Sequence, residues 1–169
     1  MHAIRATAAH AAAIEAIAQL LGKLRIESMF VGSVARSAWL GTEVASGAID
    51  VLALMNAPQK NQVAMMASNR GFRVEKHEIE QSEELDLIPL NFGDVRVHVL
   101  LASNALYGRM MANAQPAGET RVAAPEDLAL MLLVAEDRDA VRQLMELPEF
   151  DRRVFDERLV SIGLGAMAG

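Results

Sequence analysis

Cysteine is absent from this chain, so neither a disulfide framework nor a thiolate zinc site can be built from it. Aromatic residues make up only 4% of its 169 positions, which leaves the packing of a core to Leu, Val, Ala and Met. Basic residues are outnumbered, 16 against 22 acidic, and the formal net charge of −6 argues against broad attachment to a nucleic-acid backbone. Long uninterrupted apolar runs are also missing. The Ala-rich amino end is broken by His2, Arg5, His10 and Glu15, so it reads as neither a signal peptide nor a membrane span. A soluble cytoplasmic protein without membrane attachment is the expectation. No internal repeat or low-complexity linker divides the chain.

What is present is ample apolar material. Hydrophobic residues make up 52% of the chain, and ten methionines give the core adaptability. The length suits one domain, or one domain with a short helical appendage. Ile14, Ile17, Leu20, Leu21 and Leu24 recur at helical spacing and predict an amphipathic helix over residues 6–24. Met29 to Val31 reads as a short buried strand, Ser33 as the cap of a following helix, and Gly41 as its C-terminal stop. Residues 49–55 read as a second strand, Pro58 as the first turn of a helix ended by Gly71, and residues 72–76 as a third strand. A charged loop is expected from His77 to Glu84. Residues 85–92 and 95–101 flank Gly93-Asp94, a two-residue hairpin signal, and Pro89 places the first of these strands at an edge or bulge. From Ala124 onward the chain reads as helical, opening on Pro125, Glu126 and Asp127, with a fraying GLGAMAG tail. The expected division is a core over 1–123 and a helical segment over 124–169, packed as a single compact domain.

The stretch from Met29 to Leu54, MFVGSVARSAWLGTEVASGAIDVLAL, concentrates the functional signals. A Gly32-Ser33 turn between strand and helix aims free backbone N–H groups at an anion, usually a phosphate. Asp50 lies on an otherwise apolar strand, where burying an unpaired carboxylate is costly. It must be solvated, paired with Arg36, or bound to a divalent metal riding on the phosphate. Arg36 either clamps phosphate through its fork or pairs with Asp50 or Glu43. His98 alternates with Arg96 and Leu100 on one strand face, where an ordinary solvated rim histidine competes with a ligand role. Asp86, beside Glu83 and Glu84, offers a substitute carboxylate if that run is more than a solvated loop. Trp39 reads as core, with base stacking as the alternative.

Gly32-Ser33, Ala35, Trp39 and Gly41, together with the later Pro125-Glu126-Asp127-Leu128 and Asp139, resemble small members of the nucleotidyltransferase superfamily. These share the fold of polymerase β and include the minimal enzymes of abortive-infection toxins. The resemblance spans roughly Leu24 to Leu144. It implies an α+β fold, a mixed sheet with helices packed on one face followed by a C-terminal helical segment. It also implies a nucleoside triphosphate held at Gly32, Ser33 and Arg36, with a divalent metal on Asp50.

The departures from the family pattern fall on the chemistry. Ala48 stands at the first metal-binding Asp position, Val44 and Ser46 at the Arg and Thr positions, His98 at the third carboxylate, and Met131 near the helix Lys. Two-metal phosphoryl transfer relies on clustered carboxylates. The expectation is therefore a degenerate protein that binds a nucleotide or a protein partner. Two alternatives stay open. One is an active enzyme moving a nucleoside monophosphate to a protein, RNA or small hydroxyl acceptor, with manganese, zinc or magnesium on Asp50, His98 or Asp86. The other is an antitoxin-like or scaffold protein, for which a homo-oligomer is compatible.

Overall fold

The computed structural model describes residues 1–82 and 86–164. Glu83, Glu84, Leu85 and the last five residues of the GLGAMAG tail, on which some of the expectations above fall, lie outside the described residues.

The first long element is helix α1 (Ala8–Lys23), whose Ile14, Ile17, Leu20 and Leu21 are all buried, as their spacing requires. The Thr7 hydroxyl caps it by accepting the His10 amide. Two-residue strands β1 (Arg5–Ala6) and β3 (Glu43–Val44) pair in parallel as a separate small sheet.

Among the described residues the main sheet has seven strands rather than the three-strand-plus-hairpin set legible in the sequence. They are β2 (Glu27–Phe30), β4 (Ile49–Leu54), β5 (Phe72–Arg73), β6 (Leu87–Phe92), β7 (Val95–Leu101), β8 (Gln115–Ala117) and β9 (Thr120–Val122). Their order is β5-β6-β7-β4-β2-β9-β8, with β4–β7 and β2–β9 parallel and the other pairs antiparallel. The Gly93-Asp94 hairpin joins β6 to β7 with Phe92 opposite Val95. Pro89 is tolerated within β6 because the outer strand β5 reaches only Asn91 and Phe92, leaving residue 89 without an outer neighbour.

Strand alternation separates two environments. Ile49 and Val51 on β4 align with Val97 and Val99 on β7, and all four are fully buried. Helices α1 and α3 (Ala57–Ser68) contact these strands and their neighbours. The opposite row of β7, Arg96, His98 and Leu100, is only half-buried. Register therefore puts Asp50 and His98 together on the less covered face.

Four details differ from the sequence reading. Residues 76–82 form helix α4 (Lys76–Ser82), not a loop, clipped to the sheet by a bidentate Glu78–Arg96 pair at 3.1 and 3.3 Å. Helix α5 (Ala105–Ala112) and the β8–β9 hairpin fill a span in which no element was expected. Helix α2 (Gly32–Leu40) starts one residue before Ser33, with Val31 at its N-cap position, so Ser33 is not the cap. Arg36 pairs with neither Asp50 nor Glu43.

The carboxyl-terminal helices are α6 (Pro125–Val134), α7 (Arg138–Met145) and α8 (Arg152–Ser161). Helix α6 packs on α2, and the buried Trp39 ring donates its Nε1–H to the Ala123 carbonyl at 2.8 Å. Trp39 is thus a core residue that fastens α2 to the segment entering α6. Among the described residues, no helix is long and apolar enough to cross a membrane.

Candidate functional site

The β2–α2 turn brings three features to the start of β4. Gly32 adopts φ +55°, a left-handed conformation that suits glycine, and a Cβ at this position would lie 2.9 Å from Asp50 Oδ2. The turn therefore excludes a side chain twice, by its backbone and by close approach to the carboxylate. Hydrogen bonding from the Val31 amide to the Asp50 carbonyl, at 3.0 Å, fixes the two segments against each other. The Ser33 hydroxyl faces the Ala48 carbonyl at 3.5 Å, the outer limit of a hydrogen bond. The first-turn amides of α2 thus lie beside Asp50, at the positive end of the helix.

Asp50 and His98 are register partners across β4 and β7, and His98 Nδ1 lies 3.1 Å from Asp50 Oδ1. Both side chains are 32% exposed. With the carboxylate ionised, Nδ1 carries the proton and donates it, which leaves Nε2 as the ring's second polar atom. One oxygen of Asp50 is therefore engaged by an imidazole, and the Gly32 turn packs closely against the other.

The remaining sequence candidates are placed elsewhere. Arg36 reaches across to Asp137, the N-cap of α7, at 3.1 Å, and both partners are about one-third exposed, 35% and 36%. Asp137 also accepts the Ala140 amide, so this carboxylate does two jobs that only the tertiary structure reveals. Asp86 adopts φ +49° and accepts the Ser103 hydroxyl at 2.9 Å. Its carbonyl bonds the Leu101 amide, three residues beyond His98 along β7. At roughly 3.3 Å per residue that separates Asp86 from the Asp50–His98 pair by about 10 Å along the strand. Among the described residues, no group of three or more His, Asp or Glu side chains could hold a metal ion. The donor set at the turn is one carboxylate and one imidazole bonded to each other. That does not fit the oxygen-rich, paired-carboxylate centre on which two-metal phosphoryl transfer depends.

The Pro125-Glu126-Asp127 sequence has a structural task. Glu126 Oε1 accepts the Asp151 amide at 2.6 Å, at the start of α8, and Asp127 Oδ1 accepts Arg158 Nε at 2.9 Å. The Asp127 side chain is only 1% exposed, and burial pushes its carboxyl above the usual range, an effect that the hydrogen bond and charge of Arg158 partly oppose.

Comparison with protein-family models finds no match, and no curated protein matches either. Among solved structures, the chain is similar to the crystal structure of ANT(2″)-Ia in complex with adenylyl-2″-tobramycin. The identity is 14%, over 90% of this chain and 95% of that one, with a TM-score of 0.57. A solution structure of the antibiotic-resistance factor ANT(2″)-Ia gives 14% identity over 91% and 88%, with the same TM-score of 0.57. At this identity the likeness shows the fold alone, an α+β nucleotidyltransferase fold.

Proposed function

We propose that this protein uses a nucleotidyltransferase fold to bind a nucleotide at the Gly32-Ser33 turn without transferring its nucleoside monophosphate. One observation carries this reading. Asp50, the carboxylate on β4, is hydrogen-bonded to His98 at 3.1 Å, at the place where transfer requires a cluster of carboxylates free to hold metal. The α2 amides beside the turn remain a feature suited to phosphate. Arg36 and Arg96, the cations nearest in sequence to these groups, are engaged by Asp137 and Glu78. Binding should accordingly be modest. Ala48, with no donor side chain, supports the same reading.

The test is calorimetric titration with ATP and GTP, with and without magnesium or manganese, beside an assay for pyrophosphate release. Saturable nucleotide binding that gains little from magnesium, with no pyrophosphate released, is expected. The double substitution Ala48→Asp and His98→Asp should create magnesium binding absent from the parent. Metal-dependent pyrophosphate release by the unmodified protein, lost in Asp50→Asn, would instead establish an active enzyme. Absence of any nucleotide binding would move the reading to the antitoxin-like or scaffold alternative.

A further inference from the structure

A groove of about 700 Å³, whose lining includes neither Asp50 nor His98, lies between the amino-terminal segment, α1 and the tip of the β8–β9 hairpin. Its volume falls within the range of small-molecule sites, about 300–1,000 Å³. Ile4, Ala6, Ala18 and Ala117 supply apolar walls, and Glu15 and Glu119 bring carboxylates to it from α1 and from the hairpin turn. Glu15 Oε1 accepts the Gln19 side-chain amide at 3.1 Å, which holds that carboxylate along the groove. Neither Glu15 nor Glu119 forms an ion pair among the described residues. The small alanines leave room for a bulky apolar body, and two uncompensated carboxylates favour a positive charge beside it.

We propose that this groove binds an amphipathic organic cation, a compact apolar body carrying one protonated or quaternary nitrogen. Charge decides against the other occupants. A second copy meeting this face isologously would bring the same carboxylates against each other, in a chain whose net charge is already −6. An anionic lipid surface would be repelled in the same way. The proposal is independent of the nucleotide reading, since the two sites share no residue.

Fluorescence titration with berberine, a planar organic cation, tests it, with neutral Nile red and anionic anilinonaphthalene sulfonate as comparators. Berberine should bind saturably at one site per chain, more tightly than either comparator, and ATP should not displace it. Removing both charges with Glu15→Gln and Glu119→Gln should weaken binding about fivefold, taking the two exposed charges together at about 1 kcal/mol. Filling the groove with Ala18→Leu should weaken it at least about tenfold. If Ala18→Leu fails to fold, the charge variants at these exposed positions decide alone. Equal binding of Nile red, indifference to the loss of both carboxylates, or displacement by ATP would overturn the proposal. So would sedimentation showing a dimer that Ala18→Leu dissociates, which would assign the groove to self-association.

Discussion

Gly32 is where sequence, backbone and candidate chemistry meet in one residue. Its φ of +55° disfavours any L side chain, and the 2.9 Å approach of a Cβ to Asp50 Oδ2 adds a clash that only movement of the carboxylate relieves. Gly32→Ala should therefore lower stability by about 1–3 kcal/mol in urea unfolding. The cost should shrink in the background of Asp50→Ala, which removes the clashing oxygen but leaves the backbone strain. Equal costs in both backgrounds would mean that the close approach contributes nothing. At this scale much of the site was legible. Gly32 announces a turn, and a lone Asp50 amid apolar residues demands a partner. That His98 is that partner follows from a register fixed by Asp50 lying opposite residue 98, which alternation along one strand cannot supply. Arg36 shows where local reading ends, because its partner, Asp137, lies 101 residues away.

Elements with a strong apolar period or a turn signature were readable, whereas those held by a few distant contacts were not. Helix α1 carries its stripe in the sequence, and Gly93-Asp94 marks its hairpin. Helix α4, KHEIEQS, has no such stripe and owes its place to Glu78 reaching Arg96. Strand β9 joins the sheet through a single register pair, Phe30 with Val122, and β8 behind it contains Pro116. Three-residue strands of that kind leave almost no periodic trace.

The first turn of α6 carries two predictions at the scale of elements. Glu126→Ala removes the acceptor of the Asp151 amide, leaves a part-buried donor unpaired, and should cost about 1–3 kcal/mol. The companion Glu126→Gln, which retains an acceptor oxygen, should recover most of that loss. Asp127 predicts a pH dependence. Burial raises its carboxyl above the ordinary value of 3.8, so the native state binds this proton more readily than the unfolded chain does. Its contribution is therefore fully present below 3.8 and is lost as pH rises through the raised native value. Measured against Asp127→Asn by urea unfolding, the parent should lose relative stability across that acidic window and change little above it. A relative gain with rising pH would show that Arg158 outweighs burial.

At the scale of the whole molecule, the question is whether the sheet and the carboxyl-terminal helices unfold together. Two kinds of tie cross residue 124, the Arg36–Asp137 pair and the packing of α6 against α2, and Trp39 donates to Ala123 at the threshold of α6. The tryptophan bond is buried and the ion pair is about one-third exposed. Only the former should contribute more than about 1 kcal/mol, through a satisfied buried donor and the ring's packing. Because Trp39 is the chain's one tryptophan, its fluorescence reports this junction, while far-UV circular dichroism reports all the helices. A single compact domain should give coincident urea transitions by both probes. Trp39→Phe should keep the ring's apolar packing, strand the Ala123 carbonyl, and destabilise the whole protein by about 1–3 kcal/mol, with circular dichroism still reporting one transition. Arg36→Ala should cost less than about 1 kcal/mol. A fluorescence change that precedes the loss of helix would instead show that the segment after residue 124 parts from the sheet as a separate unit, and that Trp39 is a hinge contact rather than a shared core.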